Sequence, residues 1–237
     1  TATLTNAAQT PVSVTLSNGS VITIAAGQTA GSITVAAPGD DPYIDAGSVS
    51  TTITGATGGN FENLAVNGTP AVTSVTDTID TSTVTLTATP SVTEGGVITY
   101  TASVTAPVTE APLVVTLANG QTITIPVGAS SGSVNFTAPD NVYATNPAVT
   151  NSITDVSGGN YEKLVAAGTP STTVTDGPGT NDTTTVALSA TPTVAEGGQI
   201  VYTATLTNAA QTPVSVTLSN GSVITIAAGQ TAGSITV

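Results

Sequence analysis

Apolar and polar residues alternate with a period of two along most of the chain, and threonine fills many of the polar positions. Such alternation predicts β-strands with one buried and one solvated face. No stretch of useful length shows the 3.6-residue period of a helix, so the pattern predicts an all-β protein. The predicted inward rows are Val84, Leu86 and Ala88; Ile98, Tyr100, Ala102 and Val104; Leu113, Val115 and Leu117; and Ile123 and Ile125.

Turn signals separate these rows. Gly and Pro lie between the apolar runs, and Asn119-Gly120 predicts a hairpin with a two-residue loop. About seven short strands in about 100 residues are typical of an immunoglobulin-like β-sandwich. The threonines fit the solvated faces of strands. An ice-binding surface is an alternative interpretation, but the threonine rows are interrupted and lie on several strands.

The chain repeats itself. Residues Thr1–Val35 are identical to Thr203–Val237, a shift of 202 positions. A looser copy lies halfway, since Asn18-Gly19 matches Asn119-Gly120. The unit is therefore about 101 residues, the size of one small domain.

The phase of the repeat predicts three domains arranged end to end. Residues 1–80 form a repeat that lacks its first strand, residues 81–181 form a complete repeat, and residues 182–237 form a partial one. We therefore expect tandem immunoglobulin-like β-sandwich domains in a monomeric array, in which each repeat has its neighbours as partners.

Composition then limits the chemistry. The chain has 14 acidic residues against one cation, Lys163, and contains neither His nor Cys. Disulfides, zinc or haem sites and Ser-His-Asp nucleophiles therefore lack their residues. One lysine cannot supply the cationic surface that nucleic acids need. No stretch approaches 18 consecutive apolar residues, so we expect no membrane insertion. Oxygen ligands remain, and these favour calcium.

Most acidic residues fall in loops at the two ends of the predicted sandwich. Crowded carboxylates repel each other, and a divalent cation would reverse that interaction. Their clustering therefore predicts calcium sites, although no linear EF-hand loop is present. The alternative is that these acids solvate loops and cap turns. The candidate metal ligands are Asp40, Asp41, Asp45, Asp77, Asp80, Glu94, Asp140, Asp155, Glu162, Asp176, Asp182 and Glu196.

Two tyrosines occupy equivalent positions in successive repeats. Tyr43 and Tyr143 precede the predicted sixth strand, where sandwiches can place a tyrosine corner. We expect a structural role for both, and stacking on a sugar is the alternative.

The repeats resemble the extender repeats of giant bacterial repeats-in-toxin (RTX) adhesins and, more narrowly, those of the Lap-type large adhesion proteins of biofilm-forming bacteria. The similarity covers the whole chain. It rests on Thr-Val-Thr-Leu-Thr-Ala-Thr-Pro at 83–90, Glu94-Gly95-Gly96, Leu-Ala-Asn-Gly-Gln-Thr-Ile-Thr-Ile at 117–125, and Gly-Gly-Asn-Tyr-Glu at 158–162.

This resemblance implies immunoglobulin-like domains that bind calcium at and near their junctions. It also implies type I secretion and a place on the cell surface, between an outer-membrane-anchored region and distal modules that bind the ligand. The implied junction residues are Glu94, Asp140, Asp176 and Asp182 in the complete repeat, and Asp40, Asp41, Asp77 and Asp80 one repeat earlier. Asp41 is replaced by Asn141 and Gly55 by Asp155, so we expect the number of ions to differ between junctions.

We therefore predict a non-enzymatic stalk that calcium stiffens and that projects distal adhesive modules for biofilm formation. A carbohydrate-binding module is the main alternative, and it would need an exposed aromatic platform. A glycosidase with paired carboxylates is a further alternative. Asp40 and Asp41 are adjacent, but the pair is not repeated in the next unit.

Overall fold

The computed structural model describes residues 1–177 and 182–237, and these residues form short β-strands and loops without an α-helix. The all-β prediction is confirmed. Within the described ranges no helix is long and apolar enough to cross a membrane. The chain divides into two compact units, Thr1–Ser82 with Asn160–Val165, and Thr83–Gly159 with Ala166–Val237.

The first repeat has three small sheets, in which β1 pairs with β4, β2 lies between β3 and β6, and β5 pairs with β7. All of these pairs are antiparallel. The strands are β1 (Ala2–Thr3), β2 (Val12–Leu16), β3 (Val21–Ile24), β4 (Ala30–Gly31), β5 (Gly47–Thr51), β6 (Ile53–Gly58) and β7 (Ala71–Val75).

The second repeat contributes ten strands to three sheets, with the orders β13-β10-β8-β16, β12-β11-β15 and β14-β17-β9. The strands are β8 (Thr81–Ala88), β9 (Ser91–Thr93), β10 (Val97–Val104), β11 (Leu113–Leu117), β12 (Thr122–Ile125), β13 (Ser131–Thr137), β14 (Val149–Thr150), β15 (Ile153–Ser157), β16 (Lys163–Ala167) and β17 (Ser171–Thr175).

The third repeat has a three-stranded sheet with the order β18-β19-β22 and the hairpin β20-β21. Its strands are β18 (Val186–Ala190), β19 (Val201–Leu206), β20 (Val214–Thr217), β21 (Val223–Ile226) and β22 (Ala232–Thr236).

Interrupted strands explain why the second repeat has ten segments where the sequence predicted about seven. The breaks fall at Thr89-Pro90, at Asn151-Ser152 and at 168–170, where Gly168 has φ of 92° and Pro170 has no N–H. The chain changes sheets at these breaks: β8 pairs with β10, while β9 pairs in parallel with β17. Alternating hydrophobicity continues across such breaks, so the sequence pattern does not reveal them.

The predicted inward rows form the core. Tyr100, Leu113 and Ile125 are fully buried, as are most other members of these rows, and Ala88 is half-buried. Separate clusters fill the first repeat, around Val12 and Ile24, and the third. Burial of these alternating positions supports tandem β-sandwich domains.

The Asn119-Gly120 hairpin is confirmed, but its loop has three residues and not two. Leu117 N–H donates to Gln121 O at 2.8 Å, and Gly120 N–H donates back to Leu117 O at 2.9 Å. A two-residue type I′ turn needs positive φ at both central residues, whereas here Gly120 has positive φ and Asn119 does not. The Asn119 side-chain oxygen instead accepts a hydrogen bond from Gln121 N–H at 3.1 Å.

Candidate metal site

Glu94 lies at the end of β9, in a tight Glu-Gly-Gly turn. Its N–H donates to Thr175 O at 3.0 Å, which continues the parallel pairing of β9 with β17. Gly95 has φ of 67°, and a Cβ on Gly96 would lie 2.7 Å from Thr93 O. Both glycines are therefore required by the turn, and the turn fixes the direction of the Glu94 backbone.

Asp140 follows β13 and reaches the same turn. Ala138 N–H donates to Gly96 O at 2.8 Å, so the end of β13 is tied to the Glu94 turn. One residue beyond Asp140, Asn141 N–H donates to the Glu94 carboxylate oxygen Oε1 at 3.1 Å. Two segments that are distant in sequence are thereby held together by hydrogen bonds to backbone groups.

Asp182 completes a group of three carboxylates. One oxygen each from Glu94, Asp140 and Asp182 lies within 4.8 Å of the others; the first two residues are half-buried and Asp182 is exposed. Asp182 also lines a surface depression with Tyr143 and Asp176. All of these residues belong to the second compact unit.

The donor set of this group fits a hard cation. Two unit charges about 5 Å apart repel by about 3 kcal/mol at an effective dielectric constant of 20. Glu94 Oε2 is buried and, among the described residues, accepts no hydrogen bond. A buried carboxylate oxygen without a donor is costly, and calcium binds such oxygens in sets of six to eight. Glu94, Asp140 and Asp182 could hold this ion.

Two asparagines beside the group were not among the predicted ligands. The side chains of Asn141 and Asn146 are hydrogen-bonded to each other, and both residues are half-buried. Amide oxygens are also calcium ligands. Their position in the same loop as Asp140 could have indicated them, but uncharged amides do not contribute to the clustering of acidic residues on which the prediction was based.

A second set of acids lies in the first unit, where Asp40, Asp41, Asp45 and Asp77 line another depression. Thr78 Oγ1 donates to Asp40 Oδ1 at 2.5 Å, and Asp45 N–H donates to Asp77 Oδ2 at 3.2 Å. The pKa of Asp45 is raised above its ordinary value of 3.8, first by the charge of Asp41 and then by partial desolvation and by Asp77.

The other predicted ligands are dispersed. Asp80 N–H donates to Glu162 Oε2 at 2.5 Å, so these two residues meet through a backbone group. Asp176 follows β17, Asp155 lies opposite Thr116 in the β11–β15 pair, and Glu196 occupies an exposed Glu-Gly-Gly turn. None of these five joins the group of three among the described residues.

The tyrosine-corner interpretation of Tyr143 is wrong. In a tyrosine corner the hydroxyl bonds to the backbone a few residues upstream. Here the Tyr143 hydroxyl donates to Ala209 O at 2.9 Å, in the third repeat. Tyr43 packs against Tyr161, with ring centroids 5.4 Å apart. Sequence position alone did not distinguish a contact within a repeat from a contact with the next one.

Comparison with known families matches the same domain three times along the chain. The LapA domain profile matches residues 1–78, 80–177 and 182–237. A comparison with curated proteins gave no match. The three matched segments cover nearly the whole chain, and the acidic group lies within the second and third of them. The chain therefore belongs to the LapA domain family.

Proposed function

We propose that this chain is part of the extender region of a bacterial surface adhesin and that calcium, held by Glu94, Asp140 and Asp182, stiffens it. Membership of the LapA domain family supports a role related to Lap-type adhesins at the cell surface and a non-enzymatic, structural protein. The finer assignment depends on one observation: three carboxylates from separate segments converge.

The three residues have different parts in this proposal. Glu94 and Asp140 are fixed by the turn after β9 and by the end of β13, so they form a prearranged half of the site. Asp182 precedes β18 and belongs to the third repeat. Bound calcium would supply positive charge and accept oxygen ligands. Asp182 would thus be held to the second repeat only when the carboxylates are neutralised.

The carbohydrate-binding alternative has less support. Each of the five tyrosines and two phenylalanines lies in the described part of the chain and is buried or half-buried. Tyr43 and Tyr143, the candidates for stacking on a sugar, already contact other residues of the protein.

Calcium titration of the full 237-residue chain by calorimetry tests the metal site, and the repeat supplies a matched control. Glu196 occupies the same Glu-Gly-Gly turn in the third repeat, outside the carboxylate group. We expect Glu94→Gln to weaken binding more than about tenfold, because even outer-shell partners of metal ligands contribute about 10–100-fold. Glu196→Gln should leave that site unchanged. Equal effects of both substitutions, or no binding by the native chain, would refute the proposed site.

Stiffening requires a separate measurement. X-ray scattering of the chain in calcium and in chelator should give a larger maximum dimension in calcium, because the carboxylates then attract the ion instead of repelling each other. The same dependence would suit type I secretion, since low cytosolic calcium keeps the chain flexible before export. An unchanged maximum dimension would contradict the stalk mechanism even if calcium binds.

A further inference from the structure

The loop that leads from β13 to β14 contacts the third repeat through neutral groups. The Tyr143 hydroxyl donates to Ala209 O at 2.9 Å, and Thr145 Oγ1 donates to Gln211 Oε1 at 3.4 Å. Both partners lie in the segment before β20, within the second compact unit. We call residues 141–145, and the equivalent residues 41–45, the tyrosine loops. These two contacts with the third repeat involve no carboxylate; the carboxylate contact of this loop, from Asn141 N–H to Glu94 Oε1, lies within the second repeat.

The first tyrosine loop makes a different but related contact inside the first compact unit. Tyr43 and Tyr161 form an isolated antiparallel β-bridge. Ile44 N–H donates to Asn160 O at 3.0 Å, and Glu162 N–H donates to Pro42 O at 3.1 Å. The Asn160 side-chain amide also donates to Ile44 O at 3.2 Å. Backbone pairing, one amide and two packed rings therefore connect the loop to a corner of the second repeat.

The corner at 158–160 and its counterpart at 58–60 in the first repeat share one backbone conformation but make different contacts. Asn160 and its counterpart Asn60 both have φ of 56°, each after two glycines with positive φ. The Asn60 side chain, however, donates to Gln9 Oε1 within its own repeat, at 2.6 Å. The left-handed conformation therefore belongs to the repeat itself. A preformed corner loses little conformational entropy when a loop docks on it.

We propose that the tyrosine loop and the next repeat's loops form a metal-independent latch, which holds successive repeats together when calcium is absent. The latch extends the stalk function proposed above, but its geometry does not depend on a bound ion. Neutral hydrogen bonds and ring packing persist in chelator and respond weakly to salt, unlike carboxylate contacts. A Lap-type array would then loosen on losing calcium without coming apart at every junction.

Distance measurements in chelator test the latch at Tyr143. The chain has no cysteine, so spin labels can be placed uniquely at Thr124→Cys and Thr225→Cys, on exposed equivalent positions of β12 and β21. In chelator we expect the docked distance to remain the main population of the native sequence, beside a minor undocked population that calcium removes. Tyr143→Phe should raise the ratio of undocked to docked molecules about fivefold, the equivalent of a neutral hydrogen bond of about 1 kcal/mol. Tyr202→Phe, in β19, is the matched control and should have no effect.

Amide hydrogen exchange tests the bridge at Tyr43. Asn160→Gly keeps the positive φ but removes the side-chain hydrogen bond to Ile44 O, so exchange at Ile44 and Glu162 should become several-fold faster. Asn60→Gly removes the equivalent side chain and should leave both amides unchanged.

Absence of the docked distance from the label distribution of the native chain in chelator would overturn the latch. So would the absence of any effect of Tyr143→Phe and Asn160→Gly. These outcomes are distinct from failure of the calcium proposal, which would appear in calorimetry as absent binding. Circular dichroism of each variant separates loss of the latch from loss of the fold.

Discussion

Asp41 and Asn141 differ in charge yet accept the same hydrogen bond. Asp41 Oδ1 accepts from Tyr43 N–H at 2.9 Å, and Asn141 Oδ1 accepts from Tyr143 N–H at 2.8 Å. In each repeat this side chain closes an Asx turn that orients the tyrosine two residues later. The replacement that interrupts the acidic pattern of the sequence therefore preserves a local structural role.

Substitutions at Asp41 should separate its hydrogen bond from its charge. Asp41→Asn keeps the acceptor, so we expect a change in unfolding free energy within about 0.5 kcal/mol. Asp41→Ala removes the acceptor and should destabilise the turn by about 1 kcal/mol. Chemical denaturation measures both values. A loss for Asp41→Asn as large as that for Asp41→Ala would mean that charge, and not the Asx turn, is what this position contributes.

The same variant changes the titration of Asp45. The charge of Asp41 is the largest cause of the raised pKa of Asp45, so Asp41→Asn should lower that pKa towards 3.8. A raised folded-state pKa stabilises the protein below the unfolded-state value, and this contribution is lost as pH rises through the folded-state pKa. As the pH rises above about 4, the native chain should therefore lose the stability that the raised pKa of Asp45 contributes, and Asp41→Asn should lose less of it. Carbon-detected NMR titration of the Asp45 carboxylate measures the shift, and an unchanged pKa would contradict the assigned cause.

Gly96 should tolerate no side chain, although its φ lies outside the left-handed region. An alanine Cβ would meet Thr93 O at 2.7 Å and Val92 Cβ at 3.3 Å, so the turn that carries Glu94 must move. We expect Gly96→Ala to cost about 1–3 kcal/mol, the usual range for overpacking. Gly39→Ala has open space around it and is the control. Thermal unfolding compares the two, and equal melting temperatures would show that the turn adapts.

Thr172 should contribute more to the free energy of unfolding than the exposed Thr175. Thr172 is fully buried where β17 passes the break between β8 and β9. Its hydroxyl donates to Thr89 O at 2.7 Å, whereas the exposed Thr175 hydroxyl donates to Val92 O at 3.2 Å. Thr172→Val should cost about 1–3 kcal/mol by removing this donor from the carbonyl of the half-buried Thr89. Thr175→Val should cost less than about 0.5 kcal/mol. Urea unfolding of both variants checks the difference, and a reversed order would contradict it.

Ile125 and Val127 offer a direct test of the core, because they lie two residues apart but differ in exposure, at 0% and 53%. Ile125→Ala should cost about 2–5 kcal/mol through lost burial and the cavity it leaves. Val127→Ala should stay within about 0.5 kcal/mol. Denaturant midpoints of the two variants give the comparison. Similar losses at both positions would mean that the hairpin end is not packed as described.

The alternating pattern was sufficient to predict the β-sandwich core, since a residue's face on a strand depends only on its position in the chain. Tyr100, Leu113 and Ile125 are buried as this periodicity required. It did not predict the breaks at Pro90 and Pro170, because alternation continues when a strand leaves one sheet for another. Nor did it give the loop length at Asn119-Gly120, which depends on the φ of Asn119.

By itself the sequence determined which residue types were available for chemistry: oxygen donors, one lysine and no thiol or imidazole. Tertiary structure decided which of those donors meet. The carboxylates of Glu94, after β9, and Asp140, after β13, meet that of Asp182, which precedes β18. Asp155 and Glu196 lie outside this group. Loop contents are local and can be read along the chain, but the meeting of loops depends on strand pairing between distant residues. For the same reason, only the folded chain shows Tyr143 contacting the next repeat.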